Sequence, residues 1–165
     1  METKSGVKVE AQGEREILMT REFNAPRDLV FECHTKPELI KRWLLGPDGW
    51  IMDVCDVDLR VGGKYRYVWK KIADGTMMGM GGTYKVVSRP ESIHCTEIFD
   101  EAWYAGEALV QSSFTEKNER TTLKVTILYN SKETRDMVLK SPMESGVAAS
   151  YNRLEDLLIS SKAKG

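Results

Sequence analysis

The sequence predicts an α+β fold in which a strongly curved antiparallel sheet closes around one long C-terminal helix. Three observations carry this. Residues 141–160 are amphipathic at helical spacing, residues 50–129 are a run of strand signals joined by short turns, and two short helical segments stand between the first strand and that run. Strands joined by tight turns pair antiparallel, and an antiparallel sheet buries one face only, so the apolar side of the terminal helix and the inner face of the sheet complete each other.

Residues 1–13 are polar, with only Val7 and Val9 alternating. They read as a mobile arm ending at most in a short edge strand, ahead of a single domain over residues 14–162. EILMTREF (Glu16–Phe23) is rich in strand formers and stops at Asn24-Ala25-Pro26. Pro26 opens a short helix carrying Val30, Phe31, Cys33 and His34. Pro37 opens a second, with Ile40, Trp43 and Leu44 on one face, and GPDG at 46–49 ends the pair.

The strand run follows. In KYRYVWKKI, Tyr65, Tyr67 and Trp69 share one face against Lys64 and Arg66 on the other. Asp74-Gly75 turns the chain into TMMGMGGTYKVV, and Arg89-Pro90-Glu91 turns it into SIHCTEIF, where Ile93, Cys95, Glu97 and Phe99 lie on one side. A longer loop over 100–106 contains Trp103. Two further strands, EALVQSSFTE and TTLKVTILY, flank the turn Lys117-Asn118-Glu119, and Leu123, Val125, Ile127 and Tyr129 alternate strictly in the second. A short helix near 133–140 leads to the long one. Ser141 is placed to cap that helix, with Pro142 at its first position and Glu144 completing a capping box. Met143, Val147, Ser150, Tyr151, Leu154, Leu157 and Leu158 fall on one face of it.

Composition narrows the function classes. A chain of 165 residues, 41% hydrophobic and 30% charged, fits one domain with a full core. A net charge of −1 supplies no global field for nucleic acid or an anionic membrane, so neither partner is expected. No apolar run is long enough to span a bilayer and the N-terminus lacks the apolar centre of a signal peptide, so a cytoplasmic protein is expected. Cys33, Cys55 and Cys95 are odd in number and widely spaced, which predicts free thiols.

Several stretches imitate sites. Gly79, Gly81 and Gly82 suggest a phosphate loop, but both flanks read as strand, where glycine marks a bend, bulge or close backbone approach. RVGGKYRYVWKK has the composition of a single-strand nucleic-acid surface, but alternation puts its bases and rings on opposite faces. His34 and His94 have no partners at metal-ligand spacing, and no nucleophile motif occurs; no metal or cofactor is expected. Glu97 differs. On the apolar side of its strand, its carboxyl would be desolvated and its pKa raised, fitting it to anchor a ligand or to act as general acid or base. The alternatives are a shifted register or an arginine partner.

Four stretches, EFNAPRDLVFECHTKPELIKRWLLGP, DVDLRVGGKYRYVW, RPESIHCTEIF and SPMESGVAASYNRLEDLL, in this order and spacing, resemble the SRPBCC proteins of the activator-of-heat-shock-ATPase homologue type, which share the START-like helix-grip fold. The resemblance implies a seven-stranded antiparallel sheet wrapped around the C-terminal helix, two short helices after the first strand, and a cavity between sheet and helix that holds apolar small molecules. It places Trp43, Tyr65, Tyr67, Trp69, Glu97, Met143, Val147 and Tyr151 at or near that cavity; Met78, Met80, Tyr84 and Phe99 join them by the alternation of their strands. Leu44, where the family usually has a second Trp, and Val61, where it usually has Pro, depart from the pattern. Namesake members that stimulate a chaperone ATPase do so with an additional N-terminal domain, so a chaperone partner is not expected of this domain alone. The expected function is binding of a hydrophobic small molecule. A cyclase or hydrolase using Glu97 and an interaction module, as homodimer or chaperone accessory, are the alternatives.

Overall fold

Eight strands and four helices make up the computed structural model, which describes residues 6–101, 104 and 106–164. In chain order they are β1 (Lys8–Gln12), β2 (Glu16–Phe23), α1 (Arg27–Thr35), α2 (Pro37–Trp43), β3 (Trp50–Val57), β4 (Lys64–Lys71), β5 (Met77–Ser88), β6 (Ser92–Phe99), β7 (Ala108–Lys117), β8 (Arg120–Leu128), α3 (Lys132–Lys140) and α4 (Met143–Lys164). Every pairing is antiparallel, in the order β1-β2-β8-β7-β6-β5-β4-β3. The expected sheet had seven strands. The eighth is β1, an edge strand paired from Lys8↔Thr20 to Gln12↔Glu16 because Val7 and Val9 reach the core beside Met19. Trp103 lies outside the described residues.

The two short helices begin where the prolines place them: Pro26 caps α1 and Pro37 occupies the first turn of α2. The glycines of β5 are there for close approach. A Cβ on Gly82 would stand 1.9 Å from the Thr96 carbonyl oxygen and one on Gly81 2.7 Å from that of Tyr65, and an irregular register between Tyr84 and Val86 adds a bulge. Lys64 and Arg66 are exposed while Tyr65 and Tyr67 are buried, as alternation requires.

Ser141 acts differently from its expected role. It terminates α3, its hydroxyl donating to the Val138 carbonyl at 2.6 Å, and α4 starts at Met143 without it. The α3 helix is itself capped by Ser131, which accepts from the Thr134 N–H. It is fastened to the β1–β2 hairpin by buried Arg135, whose guanidinium donates to the carbonyls of Gln12, Gly13 and Glu16. Arg21, also buried, donates to Asn152 at 3.0 Å, and the Asn24 N–H donates to Glu155 at 3.3 Å. These two bonds seat the second half of α4 over the Phe23 end of the sheet. No helix among the described residues is long and apolar enough to cross a membrane.

Candidate functional site

The register sorts the inward-facing residues into rows across the sheet. One row runs Arg21, Leu123, Phe114. Phe31 meets Phe114 edge-on at 5.5 Å between ring centroids, and His34 meets both Phe114 (5.1 Å) and Trp43 (4.9 Å). Phe23 packs edge-on against Tyr151 at 5.7 Å, and Leu154 and Leu158 of α4 complete this end with no exposure. This half of the grip is sealed.

Two to three rows further along, packing changes. Val110 and Ser112 of β7, Cys95, Glu97 and Phe99 of β6, Trp69 of β4, and Met143 and Val147 of α4 all stay only half-buried. Glu97 pairs with Ala108 on one side, and on the other falls opposite Gly82 in the register that joins Gly81 to Ile98 and Tyr84 to Cys95. A residue with one methyl and a residue with no side chain therefore flank the carboxyl on the two adjacent strands. No hydrogen bond or ion pair reaches it from any described residue, and burial alone pushes its pKa up to about 7. Neither the shifted register nor the arginine partner weighed above is present. The groups electrostatically coupled to it are Tyr65, Cys95, Tyr104 and Tyr129, whose own pKa values burial holds high, so all are neutral when Glu97 titrates.

The other residues proposed from sequence divide between these halves. Trp43 belongs to the sealed end: its Nε1–H donates to the Cys33 carbonyl at 2.8 Å and its ring stacks on Tyr151 at 5.9 Å. Tyr65, Tyr67 and Tyr84 form a ring cluster with centroids 5.0 and 5.4 Å apart, and the Tyr65 hydroxyl donates to the Thr96 carbonyl at 2.6 Å. Met80 is buried in the Tyr67–Phe99 row. Trp69 reaches the 44–49 loop, donating to the Leu44 carbonyl at 2.7 Å. Met78 is 44% exposed, at the start of β5 beside the β4–β5 hairpin.

Tyr104 and Tyr129 join this group although sequence reasoning did not place them there. Tyr129 ends the strict alternation of β8 and so had a signal; Tyr104 lies in a loop, where side-chain direction has no period. They meet edge-on at 5.5 Å, and Tyr104 meets Phe99 at 6.3 Å. Gly146 and Ser150, small residues on α4, receive the 44–49 loop. Ser150 Oγ accepts from the Gly46 N–H at 2.8 Å, Pro47 lies 3.5 Å from where a Cβ on Gly146 would stand, and Arg153 donates to the Gly46 carbonyl at 2.7 Å.

Two hollows bounded by described residues lie outside the grip. A groove of about 470 Å³ is bordered by Lys85, His94, Leu109 and Leu128 and also touches Thr96, Ala108 and Tyr129, and one of about 440 Å³ lies on α3 beside Glu133, Asp136, Met137 and Lys140.

Comparison with known proteins agrees with this architecture. The family model described as activator of Hsp90 ATPase homolog 1-like protein matches residues 24–159. The chain belongs to this family. A crystal structure of a Rhodobacter sphaeroides protein superimposes with a TM-score of 0.88 at 26% identity, over 94% of this chain and 99% of the other. Protein Ms6760 from Mycobacterium smegmatis follows the same fold, with a TM-score of 0.79 at 24% identity, over 92% and 96% of the two chains. A Plasmodium falciparum protein described as an Hsp90 activator superimposes over 69% of this chain and 72% of its own, with a TM-score of 0.53 at 23% identity, a likeness of fold alone. Among curated proteins, no sequence matches significantly.

Proposed function

We propose that this member of the family binds an apolar small molecule in the half-packed end of the grip, between β4–β7 and the first half of α4. Glu97 is the observation that carries the reading. A half-buried carboxyl with no hydrogen-bond or ion-pair partner among the described residues, flanked by Ala108 and the Gly82 position, is a polar group that a bound molecule would complete. The rings of Phe99, Tyr104 and Tyr129 and the side chains of Met143 and Val147 supply adaptable apolar contact around it. Native mass spectrometry of protein purified from its original host, without denaturation, tests the reading. A retained mass that is lost from a Val147→Trp variant is expected; bare protein that also fails to take up apolar probes would end it.

A second reading, a chaperone accessory, is favoured by the family's description and by Ile51, Ile72 and Met77, exposed around the β3–β4–β5 end. Its measurement is ATP hydrolysis by an Hsp90-class chaperone with and without this chain. An unchanged rate would eliminate it.

A further inference from the structure

The groove of about 470 Å³ bordered by Lys85 and Leu128 has the size of a small-molecule site, and its two ends differ in charge. One row of the sheet, Thr96↔Leu109↔Leu128, crosses it, so a hydroxyl on β6 is followed by a leucine on β7 and another on β8. His94 and Thr96 alternate with Cys95 and Glu97, which turns them to the other side of β6 from the Glu97 carboxyl.

The β5–β6 end of the groove holds donors without acceptors. Thr96 is 7% exposed, and its hydroxyl accepts from the Thr83 N–H at 2.9 Å but donates to no described residue, which leaves a buried O–H proton unmet. Lys85 follows Thr83 by two residues on β5 and His94 precedes Thr96 by two on β6, and all three of Lys85, His94 and Thr96 border the groove. Neither the exposed Lys85 ammonium nor the half-buried His94 ring has a hydrogen-bond or ion-pair partner among the described residues. The acid that borders the groove, Glu107, stands away from them. His94 pairs with Gln111, four residues along β7 from Glu107, which is roughly 13 Å at the rise of a strand. Arg15 lies toward the Glu107 end, where its carbonyl accepts from the Tyr129 N–H at 2.9 Å.

Three donors beside two leucines, with the acid at the opposite end, complement one negative charge carried on a hydrocarbon. We propose that this groove binds an apolar monocarboxylate. Its carboxylate accepts from the Thr96 hydroxyl, an N–H of the His94 ring and the Lys85 ammonium, and its hydrocarbon lies over Leu109 and Leu128. A neutral alcohol would leave most of these donors unmet, and an amine would meet Lys85 with like charge. The site is separate from the grip and does not depend on what the grip holds.

Titration of the full chain with octanoate, 1-octanol and octylamine, followed by backbone amide NMR shifts at low ionic strength, tests it, because the shifts report both affinity and place. Octanoate is expected to bind about tenfold more tightly than octanol, with octylamine weakest. It should move the His94, Thr96, Leu109 and Leu128 signals and leave those of Met143 and Val147 in place. Lys85→Glu, at an exposed position that leaves the core alone, should weaken octanoate about tenfold and octanol less than twofold, whereas Lys85→Arg should retain octanoate. Octanoate binding no tighter than octanol, or unaltered by Lys85→Glu, would overturn the assignment, as would the absence of any shift with octanoate. Shifts centred on Met143 and Val147 would also overturn it, and would place the apolar probe in the grip instead.

Discussion

Phe114 and Val110 point to the same side of β7, four positions apart, and live in opposite surroundings. Phe114 is 1% exposed, wedged between Phe31 and His34, whereas Val110 is half-buried beside Cys95 and Ile127. The difference extends across the molecule. At the Phe114 end, α1, α2 and the second half of α4 deliver aromatic and leucine side chains against one another. The first half of α4, by contrast, carries the small residues Ser145, Gly146, Ala148 and Ala149 between Met143 and Ser150. One end of the grip supplies stability, and the other keeps a carboxyl where packing would have excluded it.

Truncation is the strongest way to break this comparison. Phe114→Ala should cost about 4 kcal/mol, since it removes a fully buried ring and opens a void that its neighbours cannot fill. Val147→Ala, at the half-packed end, should cost less than about 1 kcal/mol, because its side chain gives up little area that was sealed from water. Denaturant unfolding of both variants measures the pair. Similar losses would mean that the two ends are packed alike.

Titration sharpens it next, because His34 at one end and Glu97 at the other are both displaced and act in opposite directions. His34 donates from Nδ1 to the Val30 carbonyl at 2.8 Å, its Nε2 is buried without a partner among the described residues, and burial lowers its pKa to about 4. The unfolded chain therefore takes up this proton first, and the stability that neutral His34 permits is full above its ordinary value of 6.5 and is lost as pH falls toward about 4. Glu97 has the reverse sign. Its raised pKa makes the folded chain hold the proton longer, so its contribution is full below the ordinary 4.5 and is lost as pH rises through about 7. At ~1.4 kcal/mol per pKa unit, each effect is at most ~3 kcal/mol. Glu97→Gln should thus stabilise the protein above neutral pH and change little in acid, and His34→Gln should flatten the acid limb of the stability profile. A Glu97→Gln variant equally stable with its parent at alkaline pH would place that carboxyl in water.

How legible these two ends were depends on what sets each side chain's direction. The alternation of β4, β6 and β8 put Tyr65, Tyr67, Glu97 and Val125 on the inner face from sequence, because a strand's period is a backbone property. The same logic separated Lys64 and Arg66 from the rings. What alternation lacks is depth along the strand: Met78 pairs with half-buried Trp69 yet is itself exposed near the β4–β5 hairpin, and Trp43 is consumed by the core through its bond to Cys33. Partners in loops were the least legible. Tyr104 reaches Tyr129 from outside any strand, and the 44–49 loop covers the small residues Gly146 and Ser150 of α4, a contact no local pattern announces. Arg135, Arg21 and Ser141 make the same point for polar groups, whose hydrogen-bond partners are chosen by tertiary approach rather than by local pattern.

The smallest expected effect lies on the boundary between the two ends, at the contact between the 44–49 loop and α4. Ser150→Ala removes the acceptor of the Gly46 N–H and leaves Gly146, on which Pro47 rests, untouched, so the expected cost is about 1 kcal/mol, the penalty of one part-buried donor left without its partner. Arg153 still holds the Gly46 carbonyl, and Trp69 still holds that of Leu44, so the loop should stay in place on average while opening more often. Amide hydrogen exchange separates these two consequences: Gly46 should exchange about fivefold faster, following from ~1 kcal/mol of local stability, with Phe114 and Leu123 unchanged. If exchange instead rose equally at Gly46, Phe114 and Leu123, the loop would be part of the sealed end's cooperative unit, and the boundary between the sealed and the half-packed end would have to be drawn beyond Trp69.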